Sequence, residues 1–363
     1  MRSVYDDAFH AEAAPRMTKT VLVCEAQVPF VHGGAELCVS GLVTELTRRG
    51  YRAEKVSVPF KWYPKDELLA QVAAWRLIDL SEANGERIDA VIATKFPTYF
   101  VRHPHKITWL FHQYRAIYDL FGTPYSEFAH TEPDVRLRDR LIALDNEALA
   151  ESTQLFTIAR NVTERLARYN GLAADTLYHP PPLAGKLSAG APGDYVLSVG
   201  RLEGTKRVDL IISAIAHAGP RVRLVVVGQG LLRNQLEATA AQAGVGDRVT
   251  FTGPITENQL IALYAGALAV VFPPFDEDYG YVTLEAFLSR KAVVTTHDAG
   301  GPLEFVEDGV NGLVTDPTPE ALGAAIARLA GNPATAQSFG DAGYERARLI
   351  TWDGVVDRLM ADG

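Results

Sequence analysis

Short apolar runs alternate along this chain with longer stretches whose apolar residues recur every three or four positions. Runs of the first kind read as buried strands, and stretches of the second kind as helices. TVLVCEA (20–26) is the first strand, followed by a helix from Ala35 to Arg49 that closes at Gly50. YRAEKVSV then reads as a strand and ELLAQVAAWRLIDL as a helix, followed by strands at DAVIATK (89–95), KITWLFH (106–112) and QLFTIA (154–159). VTERLARYNG runs as a helix into a C-capping Gly171.

The alternation breaks at Tyr178-His179-Pro180-Pro181-Pro182, since three consecutive prolines continue neither a helix nor a central strand. It then restarts: YVLSVG with helix VDLIISAIAHAG, RLVVVG with LLRNQLEATAAQAG, VTFTG with ENQLIALYAGA, then AVVFPP, AVVTT and GLVTD. Two strand–helix series joined by a semi-rigid connector predict an α/β protein of two facing Rossmann-like domains with a ligand cleft between them. The expected division is a mobile leader over 1–19, a first domain over 20–182, a second over 183–345, and a C-terminal helix (346–363) packing back across the junction.

Composition changes this picture little. The 363 residues are 47% hydrophobic and 22% charged, as in water-soluble proteins with well-filled cores. A formal charge of −9 argues against nucleic acid as partner, and no apolar run approaches the roughly 20 residues of a membrane span. The polar, acidic N-terminus lacks the apolar centre of a secretory signal. Cys24 and Cys38 have neither metal-ligand nor redox spacing and read as buried thiols in a reducing compartment.

The chemistry gathers where strands end. FPPFDEDYGYVTLEAFLSR (272–290) places Glu277 and Glu285 on either side of a Tyr-Gly turn, ahead of a helix whose first N–H groups, at Tyr281, Val282 and Thr283, suit an anion. Carboxylates beside such a terminus suit hydroxyl groups, and an anion with a polyol describes a nucleotide sugar. SVGRLEGTKR adds Arg201 and Lys206 behind Gly200, two cations placed to neutralise a diphosphate. Gly33 and Gly34 allow close backbone approach from the other domain. Gly228-Gln229-Gly230 lacks the third glycine of a dinucleotide fingerprint, because residue 233 is Arg, and is expected to pass near a phosphate or the facing domain. Asp276-Glu277-Asp278 resembles a metal-binding Asp-x-Asp, but nearby cations make a metal redundant, so none is expected. His112 ends its strand at the mouth of the first domain. Trp62, Tyr63, Tyr99, Tyr114 and Arg115 lie in first-domain loops and are candidates for holding an acceptor.

Taken together, HGGAE, WLFHQYR, SVGRLEGTKRVDLI, VVVGQG, VTFTG, FPPFDEDYGYVTLEA and THDAGGPLEFVEDGVNGLV resemble glycosyltransferase family 4, retaining sugar transferases of GT-B fold, over about residues 20–355. That resemblance implies roles. Glu285 would take ribose hydroxyls and Glu277 those of the sugar; Arg201, Lys206 and Gly34 would hold the diphosphate. His112 would sit beside the anomeric carbon, and backbone from Phe251 through Gly253 to Ile255 would face the base. Tyr279 stands where such enzymes often carry Phe before Gly280, and would place a hydroxyl near the sugar. The implied enzyme is a metal-independent retaining hexosyltransferase without cofactor, using a UDP- or GDP-sugar and a glycan or lipid-linked acceptor in surface polysaccharide, lipopolysaccharide or glycolipid synthesis. It would work in the cytoplasm, peripheral contact with the inner membrane face being left open. A nucleotide-sugar epimerase and a non-catalytic nucleotide-sugar-binding subunit are the competing readings.

Overall fold

A computed structural model describes residues 19–30 and 33–361; the leader up to residue 18 and His32 lie outside them. The first domain runs β1 (Thr20–Gln27), α1 (Gly34–Arg48), β2 (Arg52–Pro59), α2 (Glu67–Leu77), a hairpin of β3 (Glu82–Ala83) and β4 (Glu86–Arg87), and β5 (Ala90–Ala93). It continues through β6 (Lys106–Leu110), α3 (Glu132–Ala150), β7 (Gln154–Thr157), α4 (Arg160–Asn170) and β8 (Asp175–Thr176). The second begins β9 (Tyr195–Val199), α5 (Val208–Ile215), β10 (Arg223–Val227), α6 (Arg233–Gln242), β11 (Val249–Gly253) and α7 (Glu257–Gly266). It ends with β12 (Ala269–Val271), α8 (Tyr281–Leu288), β13 (Ala292–Thr296), β14 (Gly312–Thr315), α9 (Pro319–Gly331), α10 (Pro333–Ala347) and α11 (Trp352–Leu359).

Each domain is built on a six-stranded parallel sheet, ordered β2-β1-β5-β6-β7-β8 and β11-β10-β9-β12-β13-β14. The order reverses beside β1 in one sheet and beside β9 in the other, so loops diverge there and leave a crevice at the strands' carboxyl ends. Central strands buried on both faces carry unbroken apolar runs, as in Val91, Ile92 and Ala93 of β5 and Ala269, Val270 and Val271 of β12.

Two features lay outside the hydrophobic pattern. α3 is a helix of 19 residues, EPDVRLRDRLIALDNEALA, whose charged face dilutes its apolar stripe to Leu141, Ala148 and Leu149. The β3–β4 hairpin has two residues per strand, too few to show a period. Several strands also stop early. β12 ends at Val271 because Pro273 and Pro274 bring no N–H to a ladder.

α10 runs on to Ala347, and the element that crosses back is α11. Its Asp353 and Asp357 receive the guanidinium of Arg49, which caps α1, and the Trp352 ring lies against Gly41 of α1, where a Cβ would come within 2.8 Å of Cζ2. Beneath the connector, first-domain Trp109 and Phe111 share one apolar cluster with second-domain Phe272 and Tyr279.

Candidate active site

The loop between β12 and α8 carries Glu277. Gly280 caps α8 at φ 82°, a left-handed conformation that L side chains avoid, and this aims the helix start into the cleft. Lys206 closes a short turn after β9, and its ammonium meets Glu277 Oε2 at 2.5 Å. Glycine at 228 serves β9's loop directly: a Cβ there would stand 1.9 Å from the Gly200 carbonyl oxygen. The Gly228-Gln229-Gly230 turn therefore lies on the 200–202 loop of its own domain, with Leu202 N–H donating to the Gln229 carbonyl at 3.0 Å, and it lines the cleft that Gly33 and Gly34 border from the first domain.

Two adjoining cavities fill the cleft. The smaller, about 400 Å³, holds Glu277, Lys206, Lys95 and His112 together with the start of α8 at Gly280, Tyr281 and Val282. The larger, about 950 Å³, is lined by Glu285 and the apolar Val227, Leu231 and Leu260. Gly33, Gly34, Gly200, Arg201 and Tyr281 border both. Gly34 sits against the Tyr281 ring, where a Cβ would be 3.1 Å from two ring carbons, so the domains touch at the neck between the cavities. The Gly33 N–H is already taken by Glu36 Oε2 at 2.8 Å.

Charges at the site are balanced in pairs: Lys206 with Glu277, Arg201 with Glu203 at 2.8 Å, and Lys95 with Glu36 at 2.6 Å. Burial works against the Glu36 carboxylate, but the charge and hydrogen bond of Lys95 hold its pKa below the ordinary value. His112 Nδ1 lies 2.7 Å from the Gln113 carbonyl oxygen, which only accepts, so Nδ1 carries the hydrogen. Burial lowers the pKa of His112, leaving a neutral ring with Nε2 as acceptor.

Several expectations need correction. Arg115 is not free for an acceptor: with Arg165 of α4 it is locked among Asp119, Asp276 and Asp278. The Tyr279 hydroxyl does not face a sugar; it donates to the His179 carbonyl at 2.5 Å and accepts the His179 N–H at 2.9 Å, clamping the connector. Tyr99 is fully buried in the first-domain core against Phe96 and Phe100 and cannot touch an acceptor. Gly253 and Ile255 line neither cavity; α7, started by the Thr256–Gln259 capping box, brings Glu257 and Leu260 there instead. Thr283 is fully buried and lines neither cavity, and its N–H donates back to Gly280 O at 3.0 Å. Trp62 and Tyr63 are exposed on the loop after β2 and meet edge to face, with centroids 5.2 Å apart; Tyr114 is half-buried, its hydroxyl bonded to Glu127. Asp276 and Asp278 are engaged by arginines, and among the described residues no cluster of three or more His, Cys, Asp or Glu side chains is arranged for a metal.

Residues missed from the sequence are Lys95, Asn161, Arg165 and His179. Lys95 ends the β5 run and His179 opens the proline connector, so position hinted at both; Asn161 and Arg165 sit in an ordinary amphipathic helix that gave no sign. His179 is buried, stacked on Tyr279 with centroids 4.4 Å apart, and burial pushes its imidazole down to about 3.

Residues 186–346, which carry Arg201, Lys206, Glu277 and Glu285, match the family model described as glycosyl transferases group 1. The chain carries a group 1 glycosyltransferase domain. It is 29% identical over 342 residues to a D-inositol 3-phosphate glycosyltransferase of Segniliparus rotundus, covering 84% of this chain and 73% of that protein. Sucrose-phosphate synthase from Thermosynechococcus elongatus superposes with a TM-score of 0.74 at 19% identity, over 94% of this chain and 97% of that one. HepE from Anabaena, solved with UDP and glucose, superposes with a TM-score of 0.67 at 18% identity, over 92% and 95%. The fold is GT-B, and the chain is an enzyme of sugar transfer. Among the described residues no helix is long and apolar enough to cross a membrane.

Proposed function

We propose that this glycosyltransferase moves a hexose, with retention, from a UDP- or GDP-sugar to a glycan or lipid-linked acceptor in surface polysaccharide, lipopolysaccharide or glycolipid synthesis. The observation that carries this reading is the Lys206–Glu277 pair beside the α8 N-terminus, one cavity away from Glu285. Donor binding would exchange partners. The diphosphate draws Lys206 away from Glu277 and takes charge from Arg201 and the free N–H groups of Tyr281 and Val282. Glu277, released, accepts from sugar hydroxyls, while Glu285 accepts from ribose in the larger, more apolar cavity. The complex of an Anabaena structural neighbour with UDP and glucose supports such a donor.

The acceptor oxygen attacks from the face the leaving group departs, and the leaving phosphate takes its proton. No side chain then has to serve as nucleophile, which suits a cavity whose histidine is held neutral. Stabilising the departing diphosphate carries most of the rate. Arginines hold Asp276 and Asp278, so Lys206 and the helix terminus supply the positive charge without a metal.

Lys206→Ala should lower turnover of the bound nucleotide sugar by about 10²–10³-fold, as for other lost stabilisers of a developing anion, with the fold intact by circular dichroism. Wild-type rates in that variant would overturn the assignment. Conversion of the donor to an epimer without acceptor, seen by NMR, would identify an epimerase instead.

A further inference from the structure

Asp276, the residue before Glu277, has φ 43°, a left-handed backbone that non-glycine residues seldom adopt. Such strain persists where surrounding contacts over-determine it, and it gathers at functional sites. Within its own domain the backbone of the turn is pinned by backbone hydrogen bonds: Asp276 N–H donates to Asp298 at 2.9 Å, Glu277 N–H to Ala299 at 2.8 Å, and Gly301 N–H to the Glu277 carbonyl at 2.7 Å. Every side-chain anchor of Asp276 comes from the first domain. Asn161 Nδ2 donates to Asp276 Oδ1 at 2.8 Å and to the Glu277 carbonyl at 2.9 Å. Arg115 Nη2 reaches Asp276 Oδ2 at 3.2 Å, and Arg165 Nη1 reaches Asp278 Oδ1 at 2.5 Å. Asp119 holds Arg165 from behind at 3.1 Å.

Asn161 is itself fixed from the second domain. It is the second residue of α4, whose preceding Ala159 offers no side-chain cap. Glu304 supplies the cap instead, its two oxygens accepting the N–H groups of Arg160 and Asn161 at 2.8 and 2.7 Å. A carboxylate spanning two free N–H groups suits a helix start. Contacts therefore run in both directions between α4 and the second domain, from Asn161 to the Glu277 turn and from Glu304 to the start of α4.

We infer that Asn161, backed by Arg115 and Arg165, is a positioning residue for Glu277, so that the sugar-holding carboxylate is aimed only when the first domain is docked on the second domain's turn. This rests on the donor reading above, in which Glu277 accepts from the sugar and Glu285 from the nucleoside. Asn161 touches the backbone and neighbour of Glu277, not the donor, so its loss acts through Glu277 alone.

The test is calorimetric titration of the full chain with UDP, GDP, UDP-glucose and GDP-mannose, using the base that the wild type binds. The quantity read is the affinity advantage of the nucleotide sugar over its own diphosphate. Asn161→Ala should shrink that advantage roughly tenfold, the loss expected for a hydrogen bond to a charged group, with diphosphate affinity unchanged. In a Glu277→Ala background, adding Asn161→Ala should change nothing further. Asp276→Gly, which takes up the left-handed backbone without strain but loses both anchors, should repeat the pattern and stands in if Asn161→Ala does not fold. Equal weakening of diphosphate and nucleotide sugar, or additive losses in the double variant, would overturn the inference. A wild type that binds none of the four probes would overturn the donor reading and this inference with it.

Discussion

Tyr264, buried on α7, donates its hydroxyl to Glu285 Oε2 on α8 at 2.7 Å. The bond fixes one carboxylate oxygen and leaves the other as an acceptor. Burial nevertheless dominates, and the Glu285 pKa is pushed up to about 7.

A pH signature follows for the unliganded protein. The unfolded chain releases this proton near 4.5, the folded chain only near 7, so the folded state binds more protons between those values. The contribution of Glu285 to stability is complete below about 4.5 and is lost as pH rises through 7. Glu285→Gln, uncharged throughout, should therefore gain melting temperature relative to wild type at pH 8 but not at pH 4.5. Parallel melts at the two pH values check this. The same variant should lose nucleotide-sugar binding at pH 8.

Tyr279→Phe separates a structural hydroxyl from a substrate contact. Removing it leaves the buried His179 N–H without its 2.9 Å partner, a loss of about 1–3 kcal/mol. Urea denaturation should show that cost, while the ranking of nucleotide sugars as donors stays as in wild type.

Gly228→Ala should be among the most damaging small changes in the second domain. The new methyl would lie 1.9 Å from the Gly200 carbonyl at φ 139°, so either the β9 or the β10 loop must move. A cost above about 3 kcal/mol is expected, since steric and backbone strain add, seen as a lower denaturation midpoint or as insoluble chain.

Transfer should persist in excess EDTA. Asp276 and Asp278 would have to leave Arg115 and Arg165 to bind a divalent ion, and Lys206 already supplies the charge it would bring. An assay of donor turnover with and without chelator decides it; loss restored by Mg²⁺ would reverse the expectation.

Local pattern carried much of the site. Strand-end position pointed to His112, Gly200 and the Glu277–Glu285 segment, because in a parallel sheet every such end opens on the same edge. It failed where partners are distant in sequence. Nothing near Arg115 indicates Asp276, 161 residues away, and nothing near Tyr279 indicates His179, 100 residues away. Taken from sequence alone both look available to ligands, whereas their hydrogen-bonding capacity is spent inside the protein. Tyr99 shows the same limit, for a loop residue can still turn into the core.

The sequence by itself determined two parallel α/β halves, the connector between them, and a Glu277–Glu285 segment beside two cations, because strand period, proline and helix start are written over a few neighbouring residues. Only the tertiary structure decided which charges are free for a ligand. Pairing depends on which side chains meet in space: Lys206 found Glu277 within the second domain, Lys95 found Glu36 within the first, and the arginines of the first domain found the aspartates flanking Glu277 across the junction.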